Sequence, residues 1–587
     1  TCALPIWKSV FVLSDRAYFG EESAGALAPV NGELGQPGQA KHALEVPLLD
    51  AGIDFLLMVR PVALCPSGRG QLLLIVASRT SIFAIRATQL LDASLEGQLH
   101  TLPGLARWGR FPRRPLRRTE GTVVVLMDTE YAGEIPGVEL KPFGQPRRVH
   151  PEREEGMVQG YLATVPVEGV GLEVEGTALE AKLREKLWHP AIDLSADVVR
   201  WKWEAEGGYD HPAELPVEAA SLHPQLWICG PELPLSGKGM ESLYDPEAMK
   251  PFVHRVCKAM LEHFGAAANA EVPVPETDGA TACRFALAFL RSVEGSVEAT
   301  LPGWPVLTAR DVVVAGGGTG GAPAAIAVAR AGKRVLLLEQ QRQLGGMGTA
   351  GTISSYWFGN RVGFTEEIDH ALLAVDPRYN DEKRKRPAAR WNTELKAAWY
   401  LRQVLGEGGE VWLGSFVFGV RMEGDRVAGV LVSTPYGPAL VPCGSVVDAS
   451  GNADVAAAAG APCRQTDGLH CAVQGTGLSP RHPGMHYVNT DFTFVDDSDP
   501  FGITYAYVHA RAKFAEAFDT VTVVNSRERR QIVGRRELSP LDFLAGRTFP
   551  DVINIARSNF DTHGFTIHPV FLAVPPDKTD RKSTQLN

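Results

Sequence analysis

The sequence predicts an α/β chain whose second half holds a three-layer, mostly parallel sheet, and three observations lead there. A strand, a glycine-rich turn, a helix and a second strand follow one another at 311–339. A second glycine loop opens at 345, straight after that second strand. The order of elements from 339 to 450 is repeated, with other residues, from 14 to 94. At 587 residues the chain has room for three or four domains of about 150 residues each. Its 45% apolar and 21% charged content is that of a globular protein.

Asp311 to Ala315 is a short apolar strand, and Gly316 to Gly321 is the turn. Gly316 permits the tight bend, Gly318 lets backbone approach a pyrophosphate, and Gly321 allows close helix–strand contact. The next segment, rich in alanine, has Pro323 in its first turn and ends at Gly332, the residues expected at the two ends of a helix. Its free N–H groups and positive dipole face the turn. The following strand ends in Glu339, 23 residues after Gly316, where a carboxylate can accept hydrogen bonds from a ribose. The combination is a Rossmann-like dinucleotide fingerprint, and it does not by itself separate FAD from NAD.

Two later features favour the flavin. The loop Leu344-Gly345-Gly346-Met347-Gly348 suits a chain passing along an extended cofactor. The strand ending Val446-Val447-Asp448 returns to the same place and turns, through Ser450 and Gly451, into a helix near Asp454. The candidate cofactor contacts in these segments are Gly316, Gly318, Thr319, Gly320, Gly321, Glu339, Arg342, Gly345, Gly346, Met347, Ser450, Gly451 and Asp454.

These stretches resemble the glutathione-reductase-like FAD-dependent oxidoreductases, in the group that includes the flavin subunit of heterodisulfide reductase. The resemblance rests on DVVVAGGGTGGAPAAIAVARAGKRVLLLEQ, LGGMGTAGTISSYWFGNRVGFTEEID, VVDASGNADVAAAAGAP, SRERRQIVGRRELSPLDFLAGRTFPDVI and NFDTHG, and covers about 311 to 575. It implies bound FAD, with Glu339 on the adenosine ribose, Val417 beside the adenine, and Gly345 and Gly346 along the pyrophosphate and flavin path. It also implies an inserted α+β substrate or cap region at 463–587.

The first half reads as a degenerate, truncated copy of the same fold. Phe11 to Gly20 matches Leu336 to Gly345, and Leu90-Leu91-Asp92-Ala93-Ser94 matches Val446 to Ser450. Ser14, with Asp15 next to it, stands where Glu339 stands in the second half, so the residues leave open whether this half binds a second FAD. The copy's own glycine turn would fall upstream of Thr1, and the natural chain is expected to continue beyond Asn587. The expected division is 1–270 for this half, 271–308 for a connector with a helix near 282–292, 309–462 for the FAD-binding domain, and 463–587 for the cap.

Candidate catalytic residues come from segments expected near the flavin ring. Tyr356, Trp357, Asn360 and Arg361 follow the second glycine loop, where packing is the competing role. Asp561 and His563 share a face if extended and can act as base and orienter, against a plain surface turn. Arg527, Arg529, Arg530, Arg535 and Arg536 can bind an anionic substrate group or form a solvated face. The run Arg107 to Arg118, with six arginines, is read as a solvated loop.

Composition narrows the rest. Asp plus Glu exceed Lys plus Arg, 68 to 58, which disfavours broad nucleic-acid binding. None of the eight cysteines pair as C-x-x-C, so zinc ribbons, iron–sulfur clusters and dithiol chemistry at Cys463 and Cys471 are not expected, and no metal is assigned. No membrane span is present by length and hydropathy. The expectation is a cytoplasmic FAD-dependent oxidoreductase acting on a small molecule, with a possible electron-transfer partner. A non-catalytic flavin-binding scaffold and an NAD-only dehydrogenase are the alternatives.

Overall fold

In the computed structural model the described residues are 10–550, except 22–24, 26, 28, 31–32, 68–69, 100, 104, 106–115, 131–132, 149–155, 170–172, 269–282, 286–300, 357–360, 380–389, 466–477, 484–498, 525–529, 537–541 and 543–544. Val335–Glu339 is buried along its whole length, as befits a central strand covered on both faces. It lies in a seven-stranded sheet ordered Cys283–Arg284, Phe416–Glu423, Arg426–Thr434, Gly437–Asp448, Arg310–Ala315, Val335–Glu339, Glu410–Leu413. The last four are mutually parallel, as expected, and continue into an antiparallel meander formed with the first three.

The reason is one long strand. Gly437–Asp448 begins in an antiparallel meander, and from Cys443 onward it pairs in parallel with Arg310–Ala315. Alternate side chains of the parallel strands then serve two cores. Val314, Leu337 and Val411 meet the helices Gly321–Arg330 and Thr393–Gly406 through Ala325, Ile326, Leu395 and Trp399. Val313, Leu336 and Trp412 meet the meander through Val420, Val430 and Val441. Helices, parallel strands and meander make the three layers.

The first half repeats this geometry. Phe11–Leu13 pairs in parallel with Asp54–Leu56, and Leu90–Asp92 with Leu226–Ile228. Arg60–Pro66, Leu72–Ala77 and Ile82–Ala87 form its meander. The match extends to single bonds. Val59 N donates to Ser14 O at 3.0 Å, as Ser415 N does to Glu339 O at 2.8 Å. Met58 and Gly414 occupy the same left-handed position, with φ of 60° and 66°. Asp92 caps its turn through Ser94 (Oγ at 2.7 Å) and Leu99 N, as Asp448 does through Ser450 (2.7 Å) and Ala456 N.

The halves join meander to meander, with Val62, Leu73 and Ile75 against Phe416, Phe418 and Leu431. Each also lends a helix to the other. Ala178–Arg184 packs on Glu410–Leu413, and Pro500–Lys513 packs on Pro37–Asp50 and Asp54–Leu56. The cap segment thus leans on the first half as well as its own. Two expectations are corrected. Cys283–Arg284 is a strand on the edge of the second-half sheet, not part of a helix, because it finds an open partner in Phe416–Glu423. Arg118 is 1% exposed, not solvated: it lies between Trp201, Trp203 and Tyr436, which supply ring faces for its guanidinium. Among the described residues no helix is long and apolar enough to cross a membrane.

Candidate functional site

The glycine turn is shaped by what surrounds it. Gly316 has φ of 102°, and a Cβ there would lie 2.4 Å from Ala449 O. A Cβ on Gly321 would lie 1.8 Å from Gly316 O, so the helix can start this close to the strand only with glycine. At Gly318 a Cβ would meet nothing nearer than Gly346 Cα at 4.0 Å, and that face of the turn is open. The second glycine loop closes against the first: Gly345 N donates to Gly317 O at 2.8 Å, and Gly346 takes φ of 57° to fit over Gly318.

Glu339 stands at this junction. It is 8% exposed, and its carboxylate accepts from Gly317 N and Gln341 N, both at 2.7 Å. Burial raises its pKa, which the two N–H groups and the charge of Arg79 oppose. The carboxylate at the strand tip therefore touches the glycine turn directly. On the far side Asp448 and Ser450 build the next turn, in which Ser450 Oγ accepts from Asp454 N at 3.0 Å. Asp454 is 3% exposed and is held by Asn452 Nδ2 at 3.0 Å and Arg530 Nη2 at 2.9 Å.

Between these groups runs a cleft of about 350 Å³. Eleven of the candidate cofactor residues line it: Gly316, Gly318, Thr319, Gly320, Glu339, Gly346, Met347, Val417, Ser450, Gly451 and Asp454. Its opposite wall is built from Leu57, Met58, Ser78, Arg79 and Thr80 of the first half and Pro500, Ile503, Tyr507 and Thr522 of the cap segment. The sequence reading missed that wall. An open glycine cradle, free helix N–H groups and a sugar-type acceptor at one end fit the ADP portion of a dinucleotide.

Three candidates sit behind the cleft rather than on it. Gly321 and Gly345 support the turn from below. Arg342 is a correction: its guanidinium turns away to Glu180 of the first half, at 2.6 Å. Burial alone would raise Glu180, but Arg342 and Arg184 hold it below the usual carboxylate range.

The catalytic candidates form a different cluster. Tyr356 packs against Trp391, their ring planes tilted by 56° and centroids 4.6 Å apart, and Arg361 donates twice to Asp369, at 2.8 and 2.6 Å. Neither lines the cleft, because Trp391 N binds Ser354 O and draws the chain toward the helix Thr393–Gly406. Trp357, Asn360, Asp561, His563, Cys471, Arg527 and Arg529 lie outside the described residues. Arg530 is a structural anchor of Asp454, whereas Arg535 and Arg536 are exposed. Burial pushes the half-buried Cys463 thiol up, which does not suit a nucleophile.

Lys396 joins that cluster unannounced. Its Nζ lies 3.5 Å from the Trp391 ring centroid and 5.3 Å from that of Tyr356. Burial lowers its pKa to about 8, against the pull of Asp369. Below pH 8 the folded protein holds a costly buried charge, while the unfolded chain stays protonated until near its ordinary value of 10.5. Stability therefore rises from pH 8 to about 10. Chemical unfolding at the two pH values should show this rise, and Lys396→Met should flatten it.

Residues 311–471 match the family model described as FAD dependent oxidoreductase. No curated protein matches the chain. Similar solved structures include THI4 of Thermovibrio ammonificans (21% identity, 25% of this chain and 58% of that one, TM-score 0.20). The myxobacterial chondrochloren halogenase CndH is 22% identical over 30% of this chain and 46% of its own, with a TM-score of 0.22. L-proline dehydrogenase from P. horikoshii is 15% identical over 30% and 62%, with a TM-score of 0.21. The chain thus spans roughly half to three-fifths of these proteins.

Proposed function

Since residues 311–471 match the family model described as FAD dependent oxidoreductase, we propose that the whole chain uses the cleft to hold FAD and to oxidise or reduce a small organic molecule. Bound there, FAD supplies hydride or electron transfer between that substrate and an acceptor, which can be an electron-transfer protein. Glu339 accepts from the adenosine ribose, and Val417 packs beside the adenine. The N–H groups at Gly318 to Gly320 and the start of helix Gly321–Arg330 face the pyrophosphate. Leu57, Ile503, Tyr507 and Val524 keep water from the cofactor. The nicotinamide-only alternative falls with the family match, which names FAD.

The observation that carries this reading is the direct bond between Glu339 and Gly317 N beside an open cleft. The purified chain should be yellow and release FAD on heating. Glu339→Ala should weaken FAD binding about tenfold, and Glu339→Gln, which keeps one acceptor, should fall between. A colourless protein that takes up no added FAD overturns the proposal. Bound flavin that no substrate panel reduces favours the scaffold alternative.

A further inference from the structure

We propose that the first half is a working part of the second half's cofactor site, and that Arg79 binds the phosphates of the dinucleotide. This rests on reading the cleft as a dinucleotide site. The argument begins with an exchange of hairpin tips. In the first half the meander turns at 78–81, where Ser78 N donates to Ser81 O at 2.9 Å. The equivalent turn of the second half is 434–437, where Thr434 Oγ1 donates to Gly437 O at 2.8 Å. Because the halves pack meander to meander, each tip leaves its own half and enters the other. Tyr436 goes into the first half and receives a hydrogen bond from Arg118 Nη1 at 2.5 Å. Arg79 and Thr80 go into the second half and line the cleft.

The position of Arg79 is held from both sides. Its Nε lies 3.4 Å from Asp454 Oδ2, and Arg530, bonded to Asp454, also reaches Thr80 O at 3.5 Å. Its charge bears on Glu339, Asp454 and Tyr507 alike, opposing in each the upward pull of burial. All three line the cleft with Arg79, so its guanidinium is within electrostatic reach of both the Glu339 end and the Asp454 end. Gly318 to Gly320, beside which a pyrophosphate would pass, line the same cleft. Among the described residues lining the cleft, Arg79 is the only cationic side chain, whereas Glu339 and Asp454 are both acidic. A dinucleotide needs a counterweight to those carboxylates, and a guanidinium matches phosphate oxygens in charge and shape. Asp454 and Arg530 are then positioning residues that hold the tip in place.

The test titrates FAD, and separately ADP and adenosine, into the full chain stripped of bound nucleotide. Wild type is compared with Arg79→Gln and Arg79→Lys at low and high salt. The Gln variant should bind FAD and ADP about tenfold more weakly, with the larger loss at low salt. Adenosine binding should not change, and Lys should restore part of the loss, which tells charge apart from misfolding. Wild-type affinity for FAD in the Gln variant overturns the proposal. Equal weakening of adenosine also overturns it, since Arg79 then only shapes the cleft. A wild-type chain that binds neither FAD nor ADP overturns the dinucleotide reading itself, and that failure shows before any variant is compared.

Discussion

Gly321→Ala should abolish cofactor retention and cost the second half about 3 kcal/mol or more. The added carbon would sit 1.8 Å from Gly316 O and 2.9 Å from both Gly316 C and Ala449 Cβ. Two of these are backbone atoms of the turn itself, so no flexible side chain can swing away. Helix Gly321–Arg330 would have to lift from Arg310–Ala315, which opens the core around Ala322 and Ala325, both fully buried. The same lift withdraws the helix N–H groups from the cleft. Gly320→Ala is the control, because nothing lies within 4 Å of its added carbon. Its stability should stay within about 0.5 kcal/mol of wild type. Urea unfolding and the flavin-to-protein absorbance ratio read both effects, and a Gly321→Ala protein with normal flavin content contradicts the account.

Glu45→Ala should destabilise the protein by about 3–5 kcal/mol. Glu45 is 0% exposed and pairs through both oxygens with Arg511, using Nε at 3.0 Å and Nη2. Arg511 is itself buried, so removing the carboxylate strands a guanidinium in an apolar contact between Pro37–Asp50 and Pro500–Lys513. The second helix carries Ile503 and Tyr507, which wall the cleft, so FAD affinity should fall with stability. Replacing both partners by leucine should be far milder, because a buried ion pair contributes little beyond its apolar isostere. Denaturant midpoints for the single and double variants decide this. A single variant as stable as wild type means the pair is not a true junction.

What could be read from residue order was whatever the chain builds locally. The turn at Gly316, the helix up to Gly332 and the carboxylate of Glu339 all come from one continuous stretch, and spacing sufficed. The repeat was legible for a similar reason: Asp92 and Asp448 each cap a turn made by the next few residues. Contacts between distant segments were not. Arg79 meets Asp454 across 375 residues, and Arg118 meets Tyr436 across 318. An arginine run looks solvated until a partner's aromatic rings enclose one member. Tyr356 and Arg361 looked close to the flavin because they follow the second glycine loop, yet the ring contact of Tyr356 with Trp391 and the pairing of Arg361 with Asp369 decide their direction. Lys396 was hidden by its neighbours, a single charge in the helical run Leu395 to Leu401.

The swapped hairpin tips have a consequence for biosynthesis. A ribosome releases residues 60–87 long before 416–448, so the apolar face that will meet Phe416 and Phe418 must wait in water. Such distant pairing slows maturation and leaves the nascent chain prone to sticking to its neighbours. Cutting the gene at the connector should therefore yield two insoluble products, and co-expressing them should rescue both.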